Sequence, residues 1–477
     1  MDLNRRKFAL LSGAALLAAC GPGAAPAAAP AIGRRDDADV IILGAGLSGL
    51  HAARMLADIG MKVLVLEAAS RPGGRMMTLD DVPGQPEGGG QQVGQTYARI
   101  RKSALDLGIR VLPYPTRPRD AAIAVGGRIM PMADWAGAAE NPLPEPYRAL
   151  SPSAALLVTA GRANPFADNY AWREIAPEAD VSADAFLAAQ GFDGAARALI
   201  DTSLNGNSLA TYSIANTWRS LTLYAEDSGL GPSERIEGGS SRLTEAMAAS
   251  LPGGALLLET RIEALTERGD HVEIRAGGRT FTAPFAICSL PFPALRQVAF
   301  TAAEADPATE LRRAAISGLP YTRIHQVHVI PEARYWEADG LPAEMWTDGP
   351  LERVFANYDE HGGLASLTCW INGTAADPSR NDEDWFALAD AEFRRLRGSG
   401  VRGVRVVRWD ETTPGAGGAY MHWAPGQIGE WAGRMGAPSG RIHFAGEHLS
   451  FLHTGMEGAM ESGESAAYGV MEAAAPA

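Results

Sequence analysis

The chain has 477 residues, with 42 Lys and Arg against 56 Asp and Glu, a formal charge of −14 and an apolar fraction of 46%. These values exclude a collagen-like repeat and a disordered polyampholyte, and the acidity argues against nucleic acid as a partner, because a phosphate backbone needs basic patches. The length suffices for about two to three domains enclosing a deep, dry site.

At the N-terminus, Asn4-Arg5-Arg6-Lys7-Phe8 precedes an apolar run from Ala9 to Ala19 that is too short to cross a bilayer as a mature helix. Residues 1–19 therefore read as an export signal. The Arg5-Arg6 pair resembles the twin-arginine type, whose machinery carries folded proteins, and predicts a periplasmic location. Leu17-Ala18-Ala19-Cys20 resembles a lipobox, which would make Cys20 a lipid-bearing first residue and that lipid the chain's only hold on a membrane; an ordinary cut beside an incidental Cys20 is the alternative. Residues 20–35, rich in Gly, Ala and Pro, read as a tether. Beyond them only Cys288 and Cys369 remain, each in an apolar, strand-like run, which favours two free buried thiols over one disulfide.

Asp39-Val40-Ile41-Ile42-Leu43 is apolar on both faces, as a central parallel strand is, and Gly44-Ala45-Gly46-Leu47-Ser48-Gly49 follows at once. Leu50 to Ile59 has helical spacing, Gly60 stops it, and Lys62-Val63-Leu64-Val65-Leu66 is a second strand ending in Glu67. This is the order of a dinucleotide-binding βαβ unit: Gly44 for the tight turn, Gly46 for approach of a pyrophosphate, Gly49 for helix-on-strand packing, and Glu67 as acceptor for ribose hydroxyls. It fits the adenosine half of FAD or NAD.

Arg71-Pro72-Gly73-Gly74-Arg75 follows Glu67, and together they resemble the extended fingerprint of the flavin monoamine oxidase family, which includes polyamine and L-amino-acid oxidases. The resemblance selects FAD, with Gly74 letting the chain pass beside the flavin and Arg75 a cation near the pyrophosphate. Gly89-Gly90-Gln91-Gln92-Val93-Gly94 is similar to the family's segment beside the flavin, and Arg261-Ile262-Glu263 to the part where Ile262 would touch adenine. Ile442-His443-Phe444-Ala445-Gly446-Glu447 and Gly455-Met456-Glu457-Gly458-Ala459 form the most specific match: Glu447 would hold the ribityl chain and the Met456 N–H, opening a helix, would face the pyrimidine end of the isoalloxazine. The implied fold is α/β, a Rossmann-like FAD-binding domain (36–115, 232–300 and 405–477) with an inserted α+β substrate domain (116–231 and 301–404).

Gly418-Ala419-Tyr420 resembles the segment that sets an aromatic ring beside the flavin, so Tyr420 is the candidate wall of an amine site, with a packed core tyrosine as the alternative. Ala419 stands where covalent members carry cysteine, which implies noncovalent FAD. Gly455 stands where a second aromatic is usual, leaving Trp423, His453 or Phe451 to fill the gap. Tyr321-Thr322-Arg323-Ile324 resembles the strand bearing the family's lysine, with Arg323 in its place; counting back from Tyr335-Trp336 selects Gln326 instead, and an ion-paired strand arginine is a third reading. Lysines occur only at 7, 62 and 102. Gln95-Thr96-Tyr97 lacks the arginine of an amino-acid carboxylate clamp, although Arg99 and Arg101 lie nearby.

The resemblance implies oxidation of a small neutral amine by hydride transfer to flavin N5, giving an imine that water hydrolyses to a carbonyl product, with dioxygen or a periplasmic carrier taking the electrons. A desaturase or porphyrinogen-type oxidoreductase and a non-catalytic flavin-bearing lipoprotein are the alternatives.

Overall fold

The computed structural model describes residues 38–114, 121–304, 306–413 and 417–475; the export signal, Cys20 and the tether lie outside them. Val40–Leu43 pairs in parallel with both Val63–Leu66 and Phe285–Cys288. Ile442–Phe444 and Leu256–Leu257 complete a five-stranded parallel sheet. Its central strands Val40–Leu43, Val63–Leu66 and Phe285–Cys288 are apolar throughout because both faces are covered. Val40, Ile42, Val63 and Val65 join a core that includes Leu50 of the helix Leu47–Asp58 and Met460 of the helix Gly455–Ala474, whereas Ile41, Leu43, Leu64 and Leu66 join a second core on the other face. Cys288 and Cys369 are both free and buried.

The α+β part combines helices, among them Pro152–Arg162 and Ile214–Leu230, with a seven-stranded, mainly antiparallel sheet. Across that sheet the strands run Val401–Trp409, Ile324–Pro331, Leu364–Asn372, Arg353–Tyr358, Met345–Thr347, Ala122–Val125 and Arg128–Pro131. Val401–Trp409 straddles the boundary drawn from sequence at 404, because its pairing with Ile324–Pro331 holds it in this sheet. Strand side chains alternate between faces. Val327, Val329, Cys369 and Ile371 pack with Trp385 and Phe393 of the helix Asp382–Arg397, so the residues between them point the other way. Among the described residues no helix is long and apolar enough to cross a membrane.

Candidate active site

A cavity of about 680 Å³ is lined from both sheets. The parallel sheet and its connections contribute Gly44, Gly46, Glu67, Gly74, Arg75 and Ile262; the seven-stranded sheet contributes Gln326, Trp370 and Trp409; the C-terminal segment contributes Tyr420, Glu447 and Met456. Gly49 and Arg323, both marked in the sequence, stand outside the lining.

The fingerprint end is shaped by absent side chains. Gly44 has φ +102°, and a Cβ there would lie 2.8 Å from Ser289 Oγ. A Cβ on Gly49 would come within 2.1 Å of Gly44 O, so glycine is what seats the helix against the turn. On Gly46 a Cβ would meet nothing within 4 Å, leaving room in the cavity beside the helix N-terminus for a diphosphate. The Glu67 carboxylate accepts the Ala45 N–H at 2.7 Å and the Ala69 N–H at 2.8 Å, which fixes it at the strand end with acceptor capacity remaining for hydroxyls. Arg75 Nη1 donates to Ala419 O at 2.9 Å and to Glu447 Oε1 at 3.0 Å, and the Met421 N–H donates to the same Oε1 at 3.0 Å. The donor set and glycine cradle fit a long, diphosphate-bearing cofactor.

At the other end Gln326 and Trp370 are direct cross-strand partners. Gln326 Oε1 is buried with no hydrogen-bond partner, as expected of an acceptor awaiting a ligand or water. Trp370 Nε1 donates to Asn372 Oδ1 at 3.1 Å, and Asn372 donates from its backbone N and from Nδ2 to Glu352 Oε2 at 2.8 and 2.9 Å, which holds the ring in place. Burial pushes the Glu352 carboxyl up to about 7. It also holds the Tyr420 phenol well above its ordinary value, so the half-buried Tyr420 ring presents a neutral wall. Gly455, Met456 and Ala459 bring the first turn of the helix Gly455–Ala474 to the cavity, with its free N–H groups and positive dipole end.

Arg323 requires correction as a cavity residue. Its guanidinium forks onto Glu411, the ion-paired reading. The two-residue period that sends Val327 and Val329 into the helix-backed core gives Ile324 and Gln326 to the cavity, and Arg323 is out of phase with them. At Gly455 a Cβ would meet nothing within 4 Å, and none of the three rings expected to compensate reaches the lining. Trp423 packs on Trp172 at 6.0 Å, His453 on Tyr97 at 6.3 Å, and Phe451 lies under Arg173 at 4.3 Å. Arg99 is paired with Glu457 at 3.2 Å and Glu464 at 2.6 Å, and Arg101 with Glu234, so neither is a free carboxylate clamp.

Residues 47–471 match the family model described as flavin containing amine oxidoreductase. The chain belongs to this family. It is 25% identical over 479 residues to a flavin-containing amine oxidase of Danio rerio, covering 91% of this chain and 85% of that protein. It is 24% identical over 467 residues to an L-amino-acid oxidase of Siganus canaliculatus, covering 90% and 84%. Among solved structures, cyclohexylamine oxidase from Brevibacterium oxydans IH-35A superposes with a TM-score of 0.72 at 23% identity, over 92% of this chain and 99% of that one. Putrescine oxidase bound to putrescine gives 0.71 at 20% identity, over 91% and 99%.

This amine oxidoreductase uses FAD to oxidise an amine. The FAD is noncovalent: Ala419 has no thiol to offer, and neither Cys288 nor Cys369 lines the cavity. Sequence reasoning missed Trp370, and with it Arg405 and Arg408, which also line the oxidoreductase's cavity. The available signal was the alternation in Leu364–Asn372, where Cys369 and Ile371 mark the core face and leave Trp370 on the other.

Proposed function

We propose that the cavity takes FAD along its length and a small amine beside the Tyr420 and Trp370 rings. Glu67 and Ile262 would hold the adenosine, Gly46 and Arg75 the diphosphate, Glu447 the ribityl chain, and the first turn of the helix at Met456 the pyrimidine end of the flavin. FAD supplies the two-electron acceptor for oxidation of the C–N bond to an imine, which water hydrolyses. The chain's own residues bind and orient. Tyr420 and Trp370 give a dry, neutral wall that favours the uncharged amine over the ammonium, and Gln326 Oε1 offers a hydrogen-bond acceptor for the amine N–H or for a water. No side-chain base is required. The observation that carries this reading is that the dinucleotide fingerprint and the Tyr420, Gln326 and Trp370 wall line one continuous cavity. Anaerobic mixing with an amine panel tests it: bleaching of the yellow flavin supports it, and bleaching by polyenes or porphyrinogens alone sinks it.

Export to the periplasm by the Arg5-Arg6 signal, with a lipid anchor at Cys20, completes the proposal, and places the enzyme beside periplasmic electron carriers as well as dioxygen. Replacing Arg5 and Arg6 by Lys should strand the protein in the cytoplasm, and Cys20→Ser should release it from membranes. Unchanged membrane association of the Cys20 variant leaves the ordinary-signal reading.

A further inference from the structure

Arg353 stands on the cavity face of the seven-stranded sheet, in no ion pair among the described residues. Val407, Gln326, Trp370 and Arg353 are successive partners across four neighbouring strands, so they share one face. The first three line the cavity. Arg353 is the next step along the same wall. Its Nη2 donates to Asn205 Oδ1 at 2.9 Å, but among the described residues it forms no ion pair, and its Nε is buried without an acceptor. The next residue in the row, Trp346, likewise has its Nε1 buried and unpartnered. Two adjacent donor nitrogens, Arg353 Nε and Trp346 Nε1, therefore lack acceptors on the face of the sheet whose neighbouring row members Trp370 and Gln326 line the cavity. Arg353 is half-buried, with its Nε cut off from water, and a carboxylate received in a forked, charge-assisted pair would supply the missing acceptor. Glu352, its chain neighbour, has its carboxylate engaged by Asn372, and Arg99 and Arg101 are paired elsewhere.

We infer that Arg353 receives a carboxylate of the substrate, so that the amines oxidised here are amino carboxylates with an aliphatic spacer. The inference rests on the amine-oxidation reading of the cavity. The spacer follows from Trp370, whose ring lies between Gln326 and Arg353 in the row: two strand spacings of about 4.8 Å separate the amine end from the anion end, too far for an α-amino acid and suited to several methylenes lying on an indole.

The holoenzyme should oxidise 5-aminopentanoate with a kcat/KM about 10- to 100-fold above pentylamine, the range of one charge-assisted pair. Arg353→Gln should cut that ratio by a similar factor, mainly through KM, and Arg353→Lys should keep part of it. Pentanoate, which has no amine to oxidise, should perturb the flavin absorption on binding, and Arg353→Gln should weaken its Kd about 10-fold or more. Flavin content and melting temperature report whether each variant is folded. A wild-type preference for pentylamine or for leucine overturns the inference, as does an Arg353→Gln variant that keeps both the ratio and the pentanoate affinity. Arg353-dependent pentanoate binding by an enzyme that oxidises no amine would uphold the anion site and sink the amine reading instead.

Discussion

Arg75 and Glu447, drawn from opposite ends of the chain, meet at 3.0 Å in the cavity wall, and the same Glu447 oxygen also receives the Met421 N–H. The pair ties the fingerprint turn to the segment carrying Ala419 and Tyr420, so the two halves of the cofactor site are set relative to each other by one carboxylate. Glu447→Ala leaves Arg75 and the Met421 N–H without that partner. Reconstitution of the apoprotein with FAD should show binding weaker by about 10- to 100-fold, the worth of one or two charge-assisted hydrogen bonds, with Glu447→Gln intermediate. Unaltered FAD affinity in the Ala variant would mean that the pair is structural ornament to the site.

Glu352 links the stability of the Trp370 wall to pH. Burial raises its carboxyl from 4.5 to about 7, so between those values the folded chain holds a proton that the unfolded chain has lost. Its contribution is fully present below pH 4.5 and is lost as pH rises through 7. Glu352→Gln keeps an acceptor for Asn372 without the charge. At pH 8 the variant should melt above the wild type, by up to about 3 kcal/mol of stability, and the difference should vanish by pH 5. A variant that is less stable at both pH values rules this linkage out.

The buried histidines act in the opposite direction. Burial lowers His328 and His422 to about 4 and His448 to about 3, from 6.5. In that window the unfolded chain binds protons that the folded chain refuses. Stability is therefore full above pH 6.5 and falls as the pH drops through 6 and 5 towards 4. His422, whose Nδ1 lies 3.1 Å from Thr322 Oγ1, is the one to test. His422→Asn should flatten the acid limb of the melting-temperature profile, removing up to about 3 kcal/mol of pH-dependent loss. An unchanged acid limb would assign the loss to other groups.

What the sequence disclosed follows from how locally each feature is encoded. Gly44, Gly46, Gly49 and Glu67 act within one strand-turn-helix-strand unit, so their spacing alone specifies the geometry, and they occupy the positions that spacing requires. Tyr420, Glu447 and Met456 could be marked as candidates because short motifs surround them, and all three line the cavity. Arg323 and Gln326 were not separable, since a register shift of one residue turns a strand inside out and only the packing of Val327 and Val329 on the helix Asp382–Arg397 settles the phase. Trp370 reaches the cavity wall, and Arg353 the same face of the sheet, through antiparallel pairing, a non-local relation with no spacing rule.

Gln326, not Arg323, is the residue of its strand that bears on the electron acceptor, because it is the one that lines the cavity. Reoxidation of a reduced flavin by dioxygen develops negative charge on the oxygen, and a cation or an ordered water beside it lowers the barrier. Arg323 provides neither, because it is turned away and neutralised by Glu411, and Gln326 is uncharged. The expected wild-type behaviour is slow reoxidation by air and faster turnover with a redox protein or quinone-like dye. Gln326→Lys restores an ammonium, or in its neutral form an amine that holds a water, on the cavity wall. Stopped-flow mixing of the amine-reduced enzyme with aerated buffer should then show reoxidation faster by about 10-fold or more, whereas Arg323→Lys should stay within about 2-fold of wild type, as an exposed ion-pair substitution does. Equal acceleration by both substitutions would return the site to Arg323, and a wild-type rate with air that already exceeds turnover with every other acceptor would make the enzyme an oxidase with no need of a cation at this position.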